Sequence, residues 1–231
     1  MANYWYWSWH RQFKTGVLPA LKKIYELYAQ QVVPALELGR QEGAGQAESS
    51  DPDAALHPYA DSAAMIRGLR EEATTEQSGL TQALAVYTRA TCEALYLEAT
   101  RFLVRLYRRE MVLVGEGDRA PLSVVGEPPS VFLEKGLNLR PVAGFKAYQL
   151  LRLVAHYHGY VPGDSGEELR RTRPEWVHRS ALGSGIVLVT PPDVKHLYED
   201  LCRFLERVVE ALHQITAQTT KEHAFATRRV S

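Results

Sequence analysis

The feature that most constrains this chain is an apolar stripe near its carboxy-terminal end. Val194, Leu197, Leu201, Leu205, Val208, Leu212 and Ile215 recur every three or four residues, and the spacing predicts a helix over 192–218. Asp193 is the expected N-cap. The same period marks 17–39, through Leu18, Leu21, Ile24, Leu27 or Tyr28, Val32 and Leu36, with Pro34 expected to kink or end it. It marks 80–114 through Leu80, Leu84, Tyr87, Leu95, Phe102 and Leu106, with Ala90, Ala94 and Cys92 as small fillers on the same side, bracketed by Ser78-Gly79 and Gly115. Phe145, Tyr148, Leu151, Val154 and Tyr157 place another helix over 142–158. Strand signals are scarce, and GIVLVTPP (185–192) is the strongest. The expected fold is all-α, an up-and-down helical bundle with long connections.

The organisation follows from the breaks in that pattern. Residues 1–40 form an aromatic arm and a first helix, 41–60 an acidic linker, 61–218 the main helical domain and 219–231 a tail expected to be poorly ordered. The Gly- and Pro-rich 115–144 reads as a long connection, with a short helix over 130–135. In the arm, Trp5, Trp7 and Trp9 alternate like a strand, whereas Trp5 and Trp9 also suit a helix. The arm can pack on its own core or anchor a partner.

Charge narrows the function classes. The 231 residues carry 27 basic and 27 acidic side chains, so nucleic-acid contact requires a local basic patch. Two cysteines, Cys92 and Cys202, with no CxxC, exclude a zinc ribbon and a disulfide scaffold. Buried free thiols are expected, although the pair could bridge. No apolar run is long enough to span a membrane, and the aromatic start lacks the order of a signal peptide, so a cytoplasmic location without membrane contact is the expectation. No metal or cofactor motif is present in the sequence, and none is expected.

The chemistry-bearing stretch is Glu167–Gly185, EELRRTRPEWVHRSALGSG. Thr172-Arg173-Pro174-Glu175 matches a capping box with proline in the first turn, which predicts a short helix from Thr172 to Gly183. Arg173 and His178 then lie about 140° apart around its axis. Arg170, Arg171 and Arg179 surround them as a local basic patch, with Glu175 between the pair. His156, His158, His196 and His213 read as surface or satisfied core residues, and the arginines of 101–109 as a solvated helix face.

Arg173-Pro174-Glu175-Trp176-Val177-His178, placed after two long helices and before a final one, resembles the R-x4-6-H signature of HEPN domains. The resemblance covers roughly 64–215. It implies an all-α homodimer in which Arg173 and His178 of both chains form one composite site. It also implies metal-independent RNA cleavage in toxin–antitoxin or phage-defence systems, with an antitoxin or other protein as a further partner. The chemistry is consistent. A histidine can move the protons of 2′-OH attack, and an arginine fork matches phosphate oxygens. Many active members carry a polar residue after the motif arginine. This chain has Pro174, so either Glu175 substitutes as the polar support beside Arg170, Arg171 and Arg179 on the RNA, or the site is weakened and the chain is a catalytically inactive scaffold. Trp176 is expected in the dimer seam, or stacked on a base.

Overall fold

The computed structural model describes residues 9–48, 61–113, 132–133, 138–157, 164–179 and 185–228. They form an all-α bundle with one short antiparallel strand pair. Helix α1 is Leu18–Leu27, α2 Val33–Glu48, α3 Asp61–Leu113, α4 Phe145–Ala155, α5 Asp164–Thr172 and α6 Pro191–Arg228. Strands β1 (Val177–Arg179) and β2 (Gly185–Val187) pair with His178 opposite Ile186. Among the described residues, no helix is long and apolar enough to cross a membrane.

The first helical rod does not break at its prolines. π-helical segments at Phe13–Val17 and Tyr28–Val32 precede α1 and α2, and each ends two residues before a proline, Pro19 or Pro34. A proline clashes with the carbonyl four residues back and donates no hydrogen bond. Widening the preceding turn accommodates both defects and keeps the rod helical. Nor does Gly39 stop it, and α2 runs on to Glu48. The rod buries Trp9, Phe13, Val17, Leu21, Tyr28 and Val33. Trp9 is therefore core, edge-to-face with Phe102 at 6.2 Å. The rest of the aromatic arm lies outside the described residues.

The long central helix also exceeds its expected limits. α3 has 53 residues and passes through Gly79. A glycine inside a helix costs only about 1 kcal/mol, which the length of the helix absorbs. Its inner face buries Cys92, Leu95, Ala99, Phe102, Leu103 and Leu106. α4 crosses it and α6 packs on both. The aromatic centre is Phe145, Tyr148 and Phe204, with Phe204 at 5.7 Å from Phe145 and 5.6 Å from Tyr148.

Gly144 sets the approach of α4 to α6. Its φ is +86°, and a Cβ there would lie 2.2 Å from the Asp200 carbonyl oxygen. Only a residue without a side chain fits both the left-handed backbone and that distance. The helix begins at Phe145, three residues after its expected start, because this glycine turns the chain in. Buried hydroxyls pair: Thr100 with Tyr148 at 3.1 Å and Thr88 with Tyr28 at 2.9 Å. Both cysteines are free, and burial pushes the Cys92 thiol up to about 12 and Cys202 up to about 11.

α6 is capped one turn earlier than the sequence suggested. The Thr190 hydroxyl accepts the Asp193 N–H at 3.3 Å and donates to the Asp193 carboxylate at 2.6 Å. Thr190 is the cap and Asp193 its reciprocal partner in the first turn. At the other end the helix continues to Arg228, into the segment expected to be poorly ordered. Of the short helix expected over 130–135, Phe132 and Leu133 are described and helical, with Phe132 against Tyr107 at 5.7 Å.

Candidate functional site

The helix expected from Thr172 to Gly183 does not form. Thr172 is the last residue of α5, and its hydroxyl donates back to the Glu168 carbonyl at 2.7 Å. The Arg173 N–H still reaches Leu169 O at 2.7 Å, so α5 owns both residues. Pro174 then forces the residue before it out of the helical region, and Arg173 takes φ −143°, ψ 67°. One 3-10 turn, Pro174–Trp176, follows, and then β1. The apparent capping box is thus a helix end followed by a proline corner. Past it, backbone bonds go across to the partner strand, beginning with Leu188 N–H to Trp176 O at 2.8 Å.

α5 itself went unread in the sequence. Its charges suit it, with Glu167 and Glu168 in its first half and Arg170 and Arg171 in its last turn, which favours the helix dipole at both ends. Arg170 and Arg171 are exposed. Glu168 reaches across to α4 and accepts from Arg152 at 3.3 Å.

Arg173 stands at the corner with a half-engaged guanidinium. Nη1 donates to the Glu175 carboxylate at 3.1 Å. The guanidinium carbon lies 5.0 Å from the centre of the Trp176 ring. Nε is buried and has no hydrogen-bond partner among the described residues, yet the side chain as a whole is 37% exposed. Glu175 is solvent-facing, and its carboxyl is held below the usual range by its own backbone N–H and then by Arg173. Trp176 is only 2% exposed and packs in the core of this chain. It is neither a free stacking platform for a base nor a surface residue of a dimer seam. His178 and Arg179 have their backbones in β1, while their side chains lie outside the described residues.

Arg173 opens on a cavity of about 210 Å³ between α4, the 3-10 turn and α6. Lys146, Trp176, Asp193, His196 and Asp200 line it with Arg173. A second cavity of about 230 Å³ adjoins across Lys146, lined by Arg140, Glu168 and Thr172. The first holds two cations, two carboxylates and an imidazole. That mixture can bind a phosphate on one side and exchange a proton on the other, but it is not a uniformly basic track.

Sequence reading missed Lys146 and His196, which line the cavity of Arg173 from other helices. One signal was available. Asp193, His196 and Asp200 are three and four residues apart, hence on one face of the helix with the clearest stripe. A wider groove of about 770 Å³ runs between Trp9, Gln12 and Val17 on one side and Glu98, Phe102, Arg105 and Arg108 on the other. There Arg101 and Arg105 pair with Glu98, at 3.8 and 3.4 Å, as a solvated helix face does. Among the described residues, no three His, Cys, Asp or Glu side chains gather as a metal site.

Comparison with family models, with curated proteins and with solved structures gives no match.

Proposed function

We propose that this protein is a metal-independent endoribonuclease of the HEPN type, acting as a homodimer, with Arg173 and His178 as its catalytic pair. The observation that carries the reading is the setting of Arg173. The proline corner projects its guanidinium to the edge of a cavity that also holds Lys146 and His196. Two cations and an imidazole there match the needs of a phosphodiester. Arg170 and Arg171 are exposed on the last turn of α5, just before Arg173 in the chain, and add positive charge to this end of the helix.

In the reaction the ribose 2′-oxygen attacks phosphorus while a base takes its proton. The bond to the 5′-oxygen breaks as an acid returns a proton to it, and the products are a 2′,3′-cyclic phosphate and a 5′-hydroxyl. Histidine serves as base or acid, and Arg173 neutralises charge on the non-bridging oxygens. Purified protein should cleave single-stranded RNA in EDTA and leave cyclic phosphate ends. Arg173→Ala and His178→Ala should each abolish cutting with the fold intact. Undiminished cleavage by the double variant sinks the assignment.

A second reading has its own support. The Arg173–Glu175 ion pair and the Trp176 contact already occupy part of the guanidinium, and Pro174 stands where active members carry a polar residue. These favour a catalytically silent scaffold that holds RNA or a protein partner such as an antitoxin. RNA retained on a filter but recovered uncut would select it.

A further inference from the structure

The second cavity differs in chemistry from the Arg173 cavity beside it. Phe145, Leu150 and Leu153, all buried on α4, give it an apolar inner wall. Gln149 lines it from the same helix face, three residues after Lys146 and four before Leu153. Arg140, exposed, lines it from the turn that leads into α4. A space of about 230 Å³ is too small for a helix or a strand of a partner protein and large enough for one flat heterocycle.

The polar groups around the two cavities divide by whether they are already engaged. All three acids are. Glu168 accepts from Arg152, Asp193 from the Thr190 hydroxyl at 2.6 Å and Asp200 from Arg203 at 2.6 Å. By contrast, the side chains of Arg140, Lys146 and Gln149 make no hydrogen bond or ion pair among the described residues. Lys146 lines both cavities, so a single cation serves the two. What is left to bond is therefore a row of positive charge with one half-buried amide beside an apolar wall. A half-buried amide without a protein partner is a place for water or ligand.

A nucleobase has the complementary make-up. Its faces are apolar, and its edge sets a donor beside an acceptor, as a glutamine amide does. Its phosphates would fall to the cations. A base enters such a space only when it is out of its stack, which selects a single strand over a duplex.

We propose that the Arg140 cavity is a base-reading subsite for single-stranded RNA, next to the phosphate held at Arg173. Gln149 bonds the edge of the base, whose face lies on the wall of α4. The strand crosses at Lys146, and Arg140 takes the flanking phosphate. That the strand is RNA rests on the ribonuclease reading, whereas the subsite itself requires no cleavage.

Fluorescence anisotropy tests it, with the full chain in EDTA and labelled 2′-O-methyl hexanucleotides of A, C or U, which lack the 2′-hydroxyl and are not cut. The wild type should bind the three with affinities spread over about tenfold, the worth of one good amide–base pair. Gln149→Leu should bring the three together. Arg140→Ala should weaken all three alike and lower the slope of log affinity against log salt by about 0.7, as loss of one phosphate contact on a single strand does. Circular dichroism should be that of wild type for both variants. Equal affinities in the wild type overturn the proposal, and so does a spread that survives Gln149→Leu or a salt slope that ignores Arg140→Ala. Binding that needs Arg173 but neither Arg140 nor Gln149 removes the subsite and keeps the ribonuclease reading. Discrimination through Gln149 by a chain that cuts no RNA does the opposite. A chain that binds none of the three refutes both.

Discussion

Phe204 and Arg173 live under opposite rules. Phe204 is fully buried on α6, with Phe145 and Tyr148 each less than 6 Å away, ring centre to ring centre. Its place follows from apolar area alone, and any neighbour of the right size would serve. Arg173 has no such freedom. A helix end, a proline and a buried indole fix its backbone and its guanidinium, while part of it stays in water. The first region holds the fold by quantity of burial. The second is a shaped corner in which a proline, an ion pair and a buried indole hold one partly exposed guanidinium in place.

The contrast can be broken from its strong side first. Phe204→Ala should destabilise by about 3–5 kcal/mol, since a fully buried ring leaves both a transfer loss and a cavity. Urea denaturation measures it, and a loss near zero would mean that the aromatic centre is not the core. Gly144→Ala should cost somewhat less, about 2–4 kcal/mol. A Cβ at that φ is strained, and it would meet the Asp200 backbone unless α4 shifts from α6. A variant as stable as wild type would show that the two helices are not locked there.

Glu175→Gln lies at the weak end and sharpens the comparison. The carboxylate is fully solvated, so the urea midpoint should not move. The sign of its pH dependence is fixed nonetheless. The folded carboxyl titrates below its unfolded value, so the contribution of the pair is present at neutral pH and fades as pH falls through the folded value. The same substitution frees Arg173 from its ion pair, so on the proposed RNA-cleaving reading RNA affinity should rise although stability does not. A shift in the midpoint with no change in RNA binding would reverse the roles assigned to the two regions.

Much of the bundle was legible because helical burial is periodic. Most of the α6 stripe and most inner residues of α3 and α4 follow from three- and four-residue spacing. Tyr87 of the expected α3 stripe is nonetheless 51% exposed and Leu27 of the first helix 55%, because the helices cross so that the buried face of α3 is centred on Cys92, Leu95 and Ala99. Helix ends were harder. Gly79, Gly39 and Pro34 looked like stops and are not, since tertiary packing outweighs a local cost of about 1 kcal/mol for glycine and π turns absorb the prolines. At Thr172-Arg173-Pro174-Glu175 the local pattern pointed to a helix start, yet the same residues end one. A threonine before a proline fits both readings, and its hydroxyl is settled by whichever backbone group lies within reach.

What this sequence determined by itself is the class of fold and most of the inward face of each long helix, because those depend on the order of apolar residues along one chain segment. It also marked Arg173 as a residue to examine. Only the tertiary structure decided that Trp176 is core and that Lys146 and His196 share the cavity of Arg173. It alone left Val86 and Leu97 facing water. Periodicity reports which side of a helix is greasy. Which of those sides finds a neighbour, and which charges converge from distant segments, depends on how the helices cross, and that is set by the packing of all of them together.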